Sequence, residues 1–250
     1  MRLALLSDIH GNMHALEACL AHARTHGAER CIFLGDMVGY GAEPVAVIER
    51  IQALQADGAA VLQGNHDAMA VSPPNDVQTI GESTANWTHN QLSVAQRQWI
   101  CDLPLTVHED TRLFVHASAD APELWRYVYD QRSATASLDA ASNWPGVRYV
   151  FGGHVHMQSL YYEGAEHELM LFNPQPGVAI PVPKRRHWLA TIGSVGQPRD
   201  GDTRAMYALL DTAREQLTFH RVGYDHHAAA KAIRRAGLPA FFANRLEMGR

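Results

Sequence analysis

Short apolar runs and amphipathic stretches alternate along the first third of the chain. Arg2 to Leu6 is an apolar run of strand length, and the polar turn Ser7 to Asn12 follows it. Leu16, Cys19, Leu20 and Ala23 then recur at i, i+3, i+4 and i+7, which predicts a helix with Asn12 as its N-cap. The cycle repeats with the strand Cys31 to Leu34, the loop Gly35 to Gly41, and a helix opening at Pro44 and carrying Val47, Ile48, Ile51 and Leu54. Ala59 to Leu62 reads as a third strand, ending before Gly64. Strands alternating with helices predict a parallel sheet with helices packed on it.

The texture changes at Val71. Pro73-Pro74 breaks the chain, and Thr79 to Leu103 reads as one helical, cap-like segment within 72–103 that carries Trp87, Leu92 and Trp99. Strand-like runs return at Leu113 to Val115 and Tyr149 to Phe151, on either side of a helical stretch at Ala134 to Ala141. Beyond Val155 short strands follow one another at Ser159 to Tyr162, Glu168 to Phe172, His187 to Ile192, Ala205 to Leu210 and Leu217 to Val222, predicting hairpins in a mixed or antiparallel sheet. Closing helices fill 225–250. No repeat or linker interrupts 1–250, which reads as a single domain.

A composition of 46% apolar and 19% charged residues excludes disorder for the bulk of the chain. The net charge of −5 gives no basic footprint for stable nucleic-acid binding or for an anionic membrane. Cys19, Cys31 and Cys101 are odd in number and form no CxxC pair, so they read as reduced core thiols in a cytoplasmic protein. The fifteen histidines are the compositional anomaly.

Position sorts those histidines. Asp8-Ile9-His10 follows the first strand, Gly35-Asp36 the second and Gly64-Asn65-His66-Asp67 the third. His116 follows the run Leu113 to Val115, and Gly152-Gly153-His154-Val155-His156 the run at Tyr149. Ligand sites in open α/β sheets gather beyond the carboxyl ends of strands, so five such ends predict one convergent cluster. Imidazole, carboxylate and amide donors without thiolate suit divalent cations. Residues two apart in extended chain share a side, which would aim Asp8 with His10, and His154 with His156, into the crevice. Histidines elsewhere, such as His22, His26, His226 and His227, read as solvent-facing or locally bonded.

The series D-x-H, G-D, G-N-H-D, H, G-H-x-H resembles the motifs of the calcineurin-like metallophosphoesterases over Asp8 to His156. The strings Gly35 to Gly41 and Gly193-Ser194-Val195-Gly196-Gln197-Pro198-Arg199 are similar to those of the family's small bacterial group. The resemblance implies a four-layer αββα sandwich of two mixed sheets. It implies one metal held by Asp8, His10, Asp36 and His156, and a second held by Asp36, Asn65, His116 and His154. The metals would be manganese, iron or zinc, with nickel and magnesium as further candidates.

It further implies in-line attack by a metal-bound hydroxide on a phosphomonoester, phosphodiester or phosphoanhydride of a small molecule, with nucleotides as the leading class. His66 would protonate the leaving group or stabilise its charge, with Asp67 positioning the imidazole. The alternative on the same fold is a non-catalytic metal-binding scaffold, against which the presence of His66 argues. Gly39-Tyr40 after Val38, and Gln63 before Gly64, depart from the arginine-bearing motifs of protein serine/threonine phosphatases. Thr191-Ile192 replaces the Asn-Pro that many relatives carry before Gly193-Ser194. Arg199 is the candidate phosphate contact or else a solvated loop charge, and Tyr40, Trp87 and Trp125 are candidates to stack a base or to pack the rim.

Overall fold

The computed structural model describes residues 1–164 and 168–250; Ala165, Glu166 and His167 lie outside the described residues. The opening strands β1 (Arg2–Leu6), β2 (Arg30–Phe33) and β3 (Ala60–Val61) pair in parallel, as the alternation predicts. Between them run α1 (Met13–Thr25) and α2 (Pro44–Ala56). The Asn12 side chain accepts from Ala15 N, satisfying one of the amides that a helix start leaves free. Pro44 opens α2, where its missing N–H costs nothing.

A helix that the sequence pattern does not announce, α3 (Asn65–Val71), follows β3 directly. The helical stretch expected over 79–103 consists of a 3-10 turn at Glu82–Thr84, α4 (Ala85–Gln91) and α5 (Val94–Cys101). The break is local chemistry. Leu92 adopts an extended backbone, and Ser93 restarts the helix through a capping box with Gln96. The chain continues through β4 (Thr106–Glu109), β5 (Arg112–Val115), α6 (Gln131–Ala141), β6 (Tyr149–Gly152), β7 (Gln158–Glu163), β8 (Leu169–Phe172) and β9 (Ala179–Pro181). Then come β10 (Trp188–Ile192), β11 (Ala205–Asp211), β12 (Gln216–Val222), α7 (His226–Arg235) and α8 (Ala240–Met248).

Among the described residues the strands form two mixed six-stranded sheets, ordered β3-β2-β1-β11-β12-β9 and β4-β5-β6-β10-β7-β8. The later strands therefore do not build a sheet of their own. β11 docks antiparallel on β1, and β10 docks parallel on β6. Strand alternation explains the layers. Leu3 and Leu5 of β1 meet Phe114, Phe151 and Ala190 in a core between the sheets, while Ala4 and Leu6 face Leu16, Cys19 and Val47 of the helices. On the far sheet Val115, Val150 and Leu189 pack against Ala134 and Ala141 of α6. The result is the expected αββα sandwich. Cys19 is buried, but Cys101 is exposed at the end of α5 rather than in the core. Among the described residues no helix is long and apolar enough to cross a membrane.

Candidate metal centre

Within each sheet the parallel strands deliver their carboxyl ends to one edge, where the loops after β1, β2, β3, β5, β6 and β10 meet. Main-chain bonds stitch these loops together. Asp8 N donates to Gly35 O at 3.0 Å, His10 N to Asp36 O at 3.0 Å, Gly153 N to His116 O at 2.8 Å, and Gly196 N to Asp8 O at 2.9 Å. The expectation that extended backbone aims Asp8 with His10, and His154 with His156, is corrected here. Asp8, His10, Asp36, His154 and His156 all sit in the left-handed region, with φ between +49° and +68°. Non-glycine residues rarely adopt this conformation, at a cost of order 1 kcal/mol or more each, and it concentrates where surrounding structure enforces a functional arrangement. In consequence His154 and His156 face different halves of the site.

One half gathers Asp8, His10 and His156, and the other Asp36, His116 and His154; all six are buried. Each carboxylate divides its oxygens. Asp8 Oδ2 accepts from His154 N and Asp36 Oδ1 from His66 N, at 2.9 and 2.8 Å. The remaining oxygens face the imidazoles. Asp8 Oδ1 is 3.3 Å from His156 Nε2, and Asp36 Oδ2 lies 3.3 Å from His116 Nε2 and 3.8 Å from His10 Nε2. Asn65 Oδ1 stands 3.1 Å from His116 Nε2.

The ring tautomers show what this arrangement demands. The Nδ1–H groups of His10, His116 and His156 donate to the carbonyls of Val38, Leu34 and Gln197 at 3.1, 2.8 and 2.6 Å. In the neutral rings each Nε2 is then a lone pair, yet His10 Nε2 and His156 Nε2 stand 3.1 Å apart. Two acceptors at that distance repel unless a cation joins them. Asp8 Oδ1 and His154 Nε2 are likewise buried with no hydrogen-bond partner among the described residues. The donor set and the second-contact carbonyls fit divalent metal, since ligating histidines characteristically hold their other nitrogen on a carbonyl.

Charge follows the same logic. Burial alone would lower His116, but Asp36 outweighs it and lifts the imidazole to about 9. Burial would raise Asp36, and the surrounding His116 and His66 reverse that and hold it well below the usual carboxylate range. Asp8 is held low in the same way by His156. Burial lowers His154 to about 4 and, with His156 and His66 assisting, takes His10 well below its ordinary value.

Glycines make the packing of these loops feasible. A Cβ on Gly64 would lie 2.2 Å from Asp36 Oδ1 and 2.3 Å from Asp36 N, and one on Gly153 only 1.9 Å from Ser7 Oγ. Gly64→Ala should therefore displace Asp36 and destabilise the fold by about 1–3 kcal/mol, the usual overpacking cost. Thermal unfolding and metal analysis of the purified variant should register both a lower Tm and a loss of bound metal.

His66 opens α3 beside this centre, its ring 5.1 Å from His10 and 4.3 Å from Tyr40, centroid to centroid. Burial lowers its pKa to about 4 against the pull of Asp36. Asp67 does not hold the imidazole as expected. Its Oδ1 accepts from Met37 N and Val38 N and its Oδ2 from Gly64 N, so it clamps the β2 loop onto the start of α3. Burial and the charge of Asp36 push it up to about 7 against those three bonds.

A cavity of about 720 Å³ opens above Asn65, His66 and His154. Arg199 reaches it, as does Arg245 of α8, a residue that no sequence motif marks. Both guanidinium groups donate to Gln197 Oε1, at 3.0 and 3.2 Å, and neither has a carboxylate partner among the described residues. Burial and the neighbouring Arg199 lower Arg245 from its ordinary value. Tyr40 is packed between His10 and Phe242, with Arg199 over its ring, and offers little face to a base. Trp87 packs against the Tyr40 and α8 cluster and does not line the cavity. Trp125 does, together with Tyr127, whose ring stacks on His154 at 4.0 Å.

Buried carboxylate and imidazole lone pairs at the shared edge of an αββα sandwich, opening on a cationic cavity, define a metal-dependent phosphoric ester hydrolase. The chain belongs to the calcineurin-like phosphoesterase superfamily, whose domain model matches residues 1–215. It is 30% identical over 254 residues to an uncharacterized protein of Methanocaldococcus jannaschii, covering 99% of this chain and 98% of that one. It resembles the crystal structure of a metallophosphoesterase from Sphaerobacter thermophilus at a TM-score of 0.87 and 31% identity, covering 100% of this chain and 99% of the other. A hypothetical protein of Pyrococcus horikoshii shares the fold at a TM-score of 0.78 and 19% identity, with 100% of this chain and 98% of the other covered.

Proposed function

We propose that the chain hydrolyses small nucleoside phosphates with two divalent metals bridged by Asp36. Asp8, His10, Asp36 and His156 hold one metal, and Asp36, Asn65, His116 and His154 the other. The position of Asp36 Oδ2, between His116 Nε2 at 3.3 Å and His10 Nε2 at 3.8 Å, carries the reading. Two such cations, when bound, supply Lewis acidity and bring the pKa of water near 7.

The protein's own groups do the rest. The carbonyls of Val38, Leu34 and Gln197 fix the imidazole tautomers, so the Nε2 lone pairs are preorganised. His66 faces the cavity beside Asn65 and serves the leaving oxygen, while Asp67 fixes the turn from which it projects. Arg199 and Arg245, tied together by Gln197 and with no acidic partner among the described residues, bind substrate phosphate oxygens. Tyr40 backs the Arg199 guanidinium from below. Trp125, one of the three aromatic candidates in the sequence, and Tyr127 supply the aromatic wall for a base, whereas Tyr40 and Trp87 pack elsewhere.

The test is a panel of phosphate compounds assayed with metal-stripped protein after adding manganese, iron, zinc, nickel or magnesium in turn. Nucleoside phosphates should turn over with higher kcat/KM than sugar or alkyl phosphates, and a preference for the latter would remove the nucleotide reading. Arg199→Ala and Arg245→Met should each raise KM several-fold and leave metal content unchanged, because they remove binding common to ground and transition states. Unchanged kinetics on every active substrate would return both arginines to a packing role.

A further inference from the structure

We infer that His22, His26 and His220 form a third metal site, distinct from the catalytic centre and suited to zinc, nickel or copper. His22 lies in the last turn of α1 and His26, four residues on, is its C-cap, so their side chains project from one side of the helix end. Their rings stack at 4.0 Å, and His220 of β12 meets them at 5.1 and 5.0 Å, centroid to centroid. One nitrogen from each ring lies within 4.8 Å of the others. Asn12 caps the opposite end of α1 beside the catalytic loops. The thirteen-residue helix thus places this cluster about 20 Å from them.

Hydrogen bonding leaves the right atoms free. His26 Nδ1–H donates to His22 O at 2.8 Å, which makes its Nε2 a lone pair. Tyr207 Oη and His22 Nδ1 are hydrogen-bonded at 2.8 Å, which leaves that ring's Nε2 as its remaining ligand atom. His220 is only 7% exposed, and its Nε2 has no hydrogen-bond partner among the described residues. A buried nitrogen of that kind, aimed among two other imidazoles, is a costly arrangement in a metal-free core and a ready one for a cation.

Among the described residues the carboxylates near the rings are held by arginines. Of the acidic groups near the adjoining cavity of about 500 Å³, Asp211 pairs with Arg2 and Arg214, Asp202 with Arg204, and Asp200 with Arg221. Burial, and repulsion by the neighbouring rings, keep His22 below its ordinary value and His220 down at about 4. Three imidazoles without thiolate or carboxylate select borderline transition metals over magnesium or calcium. Three protein ligands leave a fourth position toward the cavity, and the metal would tie the end of α1 to β12.

Zinc titration followed calorimetrically, with elemental analysis after dialysis, tests the assignment on the intact chain. Wild type should hold one more zinc equivalent than His26→Gln or His220→Asn, while both variants hydrolyse substrate at the wild-type rate. His26 is exposed, so His26→Gln keeps the comparison sound if His220→Asn folds poorly. Tyr207→Phe, which removes only the bond orienting His22, should weaken the extra equivalent by about 10–100-fold. Equal zinc stoichiometry in wild type and His26→Gln would overturn the site. The result is independent of the catalytic reading, because Asp36→Asn should keep this third equivalent whatever becomes of the other two.

Discussion

Asp36→Asn should abolish the pairing of the catalytic metals and lower kcat on the order of 10³-fold, a loss of the size expected when a major electrostatic element is removed. The side chain is isosteric and its Oδ1 can still accept from His66 N, so the fold should survive. What disappears is the charge beside His116 and His10, at 3.3 and 3.8 Å. Without it, only Asp8 and the Leu34 carbonyl oppose the burial that lowers His116, and its pKa should fall from about 9, a change that NMR of the metal-stripped protein can follow. Elemental analysis checks the rest. Two tightly held catalytic equivalents with normal turnover in Asp36→Asn would refute the bridging assignment.

His66→Gln should leave both metals in place and slow hydrolysis by about 10²–10⁴-fold, the range of a positioned proton donor. The loss should depend on the leaving group. A nitrophenolate departs with little help, whereas a ribose or alkyl alkoxide is strongly basic and needs a proton. Burial keeps the free ring neutral at pH 7, and the negative charge of a bound phosphate is what favours its second proton. A larger loss on the ribose ester than on the nitrophenyl ester therefore identifies proton donation. An equal loss on both reassigns His66 to charge stabilisation, and wild-type rates on both exclude it from catalysis.

The convergence of the candidate metal ligands was legible because they sit at strand ends. Each apolar run is long enough to read, and each is followed within two residues by a Gly, Asp or His that a strand interior would not carry. The helix after β3 was hidden, since its seven residues span barely two turns and are followed at once by Pro73-Pro74. β4 and β9 were missed because they are edge strands, with Glu109, His108 and Pro181 breaking the apolar pattern. The break between α4 and α5 is written in Ser93 and Gln96, a capping pair that the apolar period of Leu92 and Trp99 conceals.

Other features depend on contacts between residues remote in sequence. Left-handed backbone at Asp8, His10, His154 and His156 carries no residue signature, because neighbouring loops impose it through bonds such as Gly196 N to Asp8 O. Arg245 joins Arg199 only because α8 folds back over Gln197, 48 residues away. His220 meets His22 and His26 only because β12 and α1 lie on one sheet, after nearly two hundred intervening residues. Sequence by itself determined the alternation of layers and the identity of the groups at the strand ends, since both are periodic or adjacent in the chain. The tertiary structure alone decided which of those groups face one another, because facing is a property of packed loops and is paid for in backbone strain and burial rather than in local pattern.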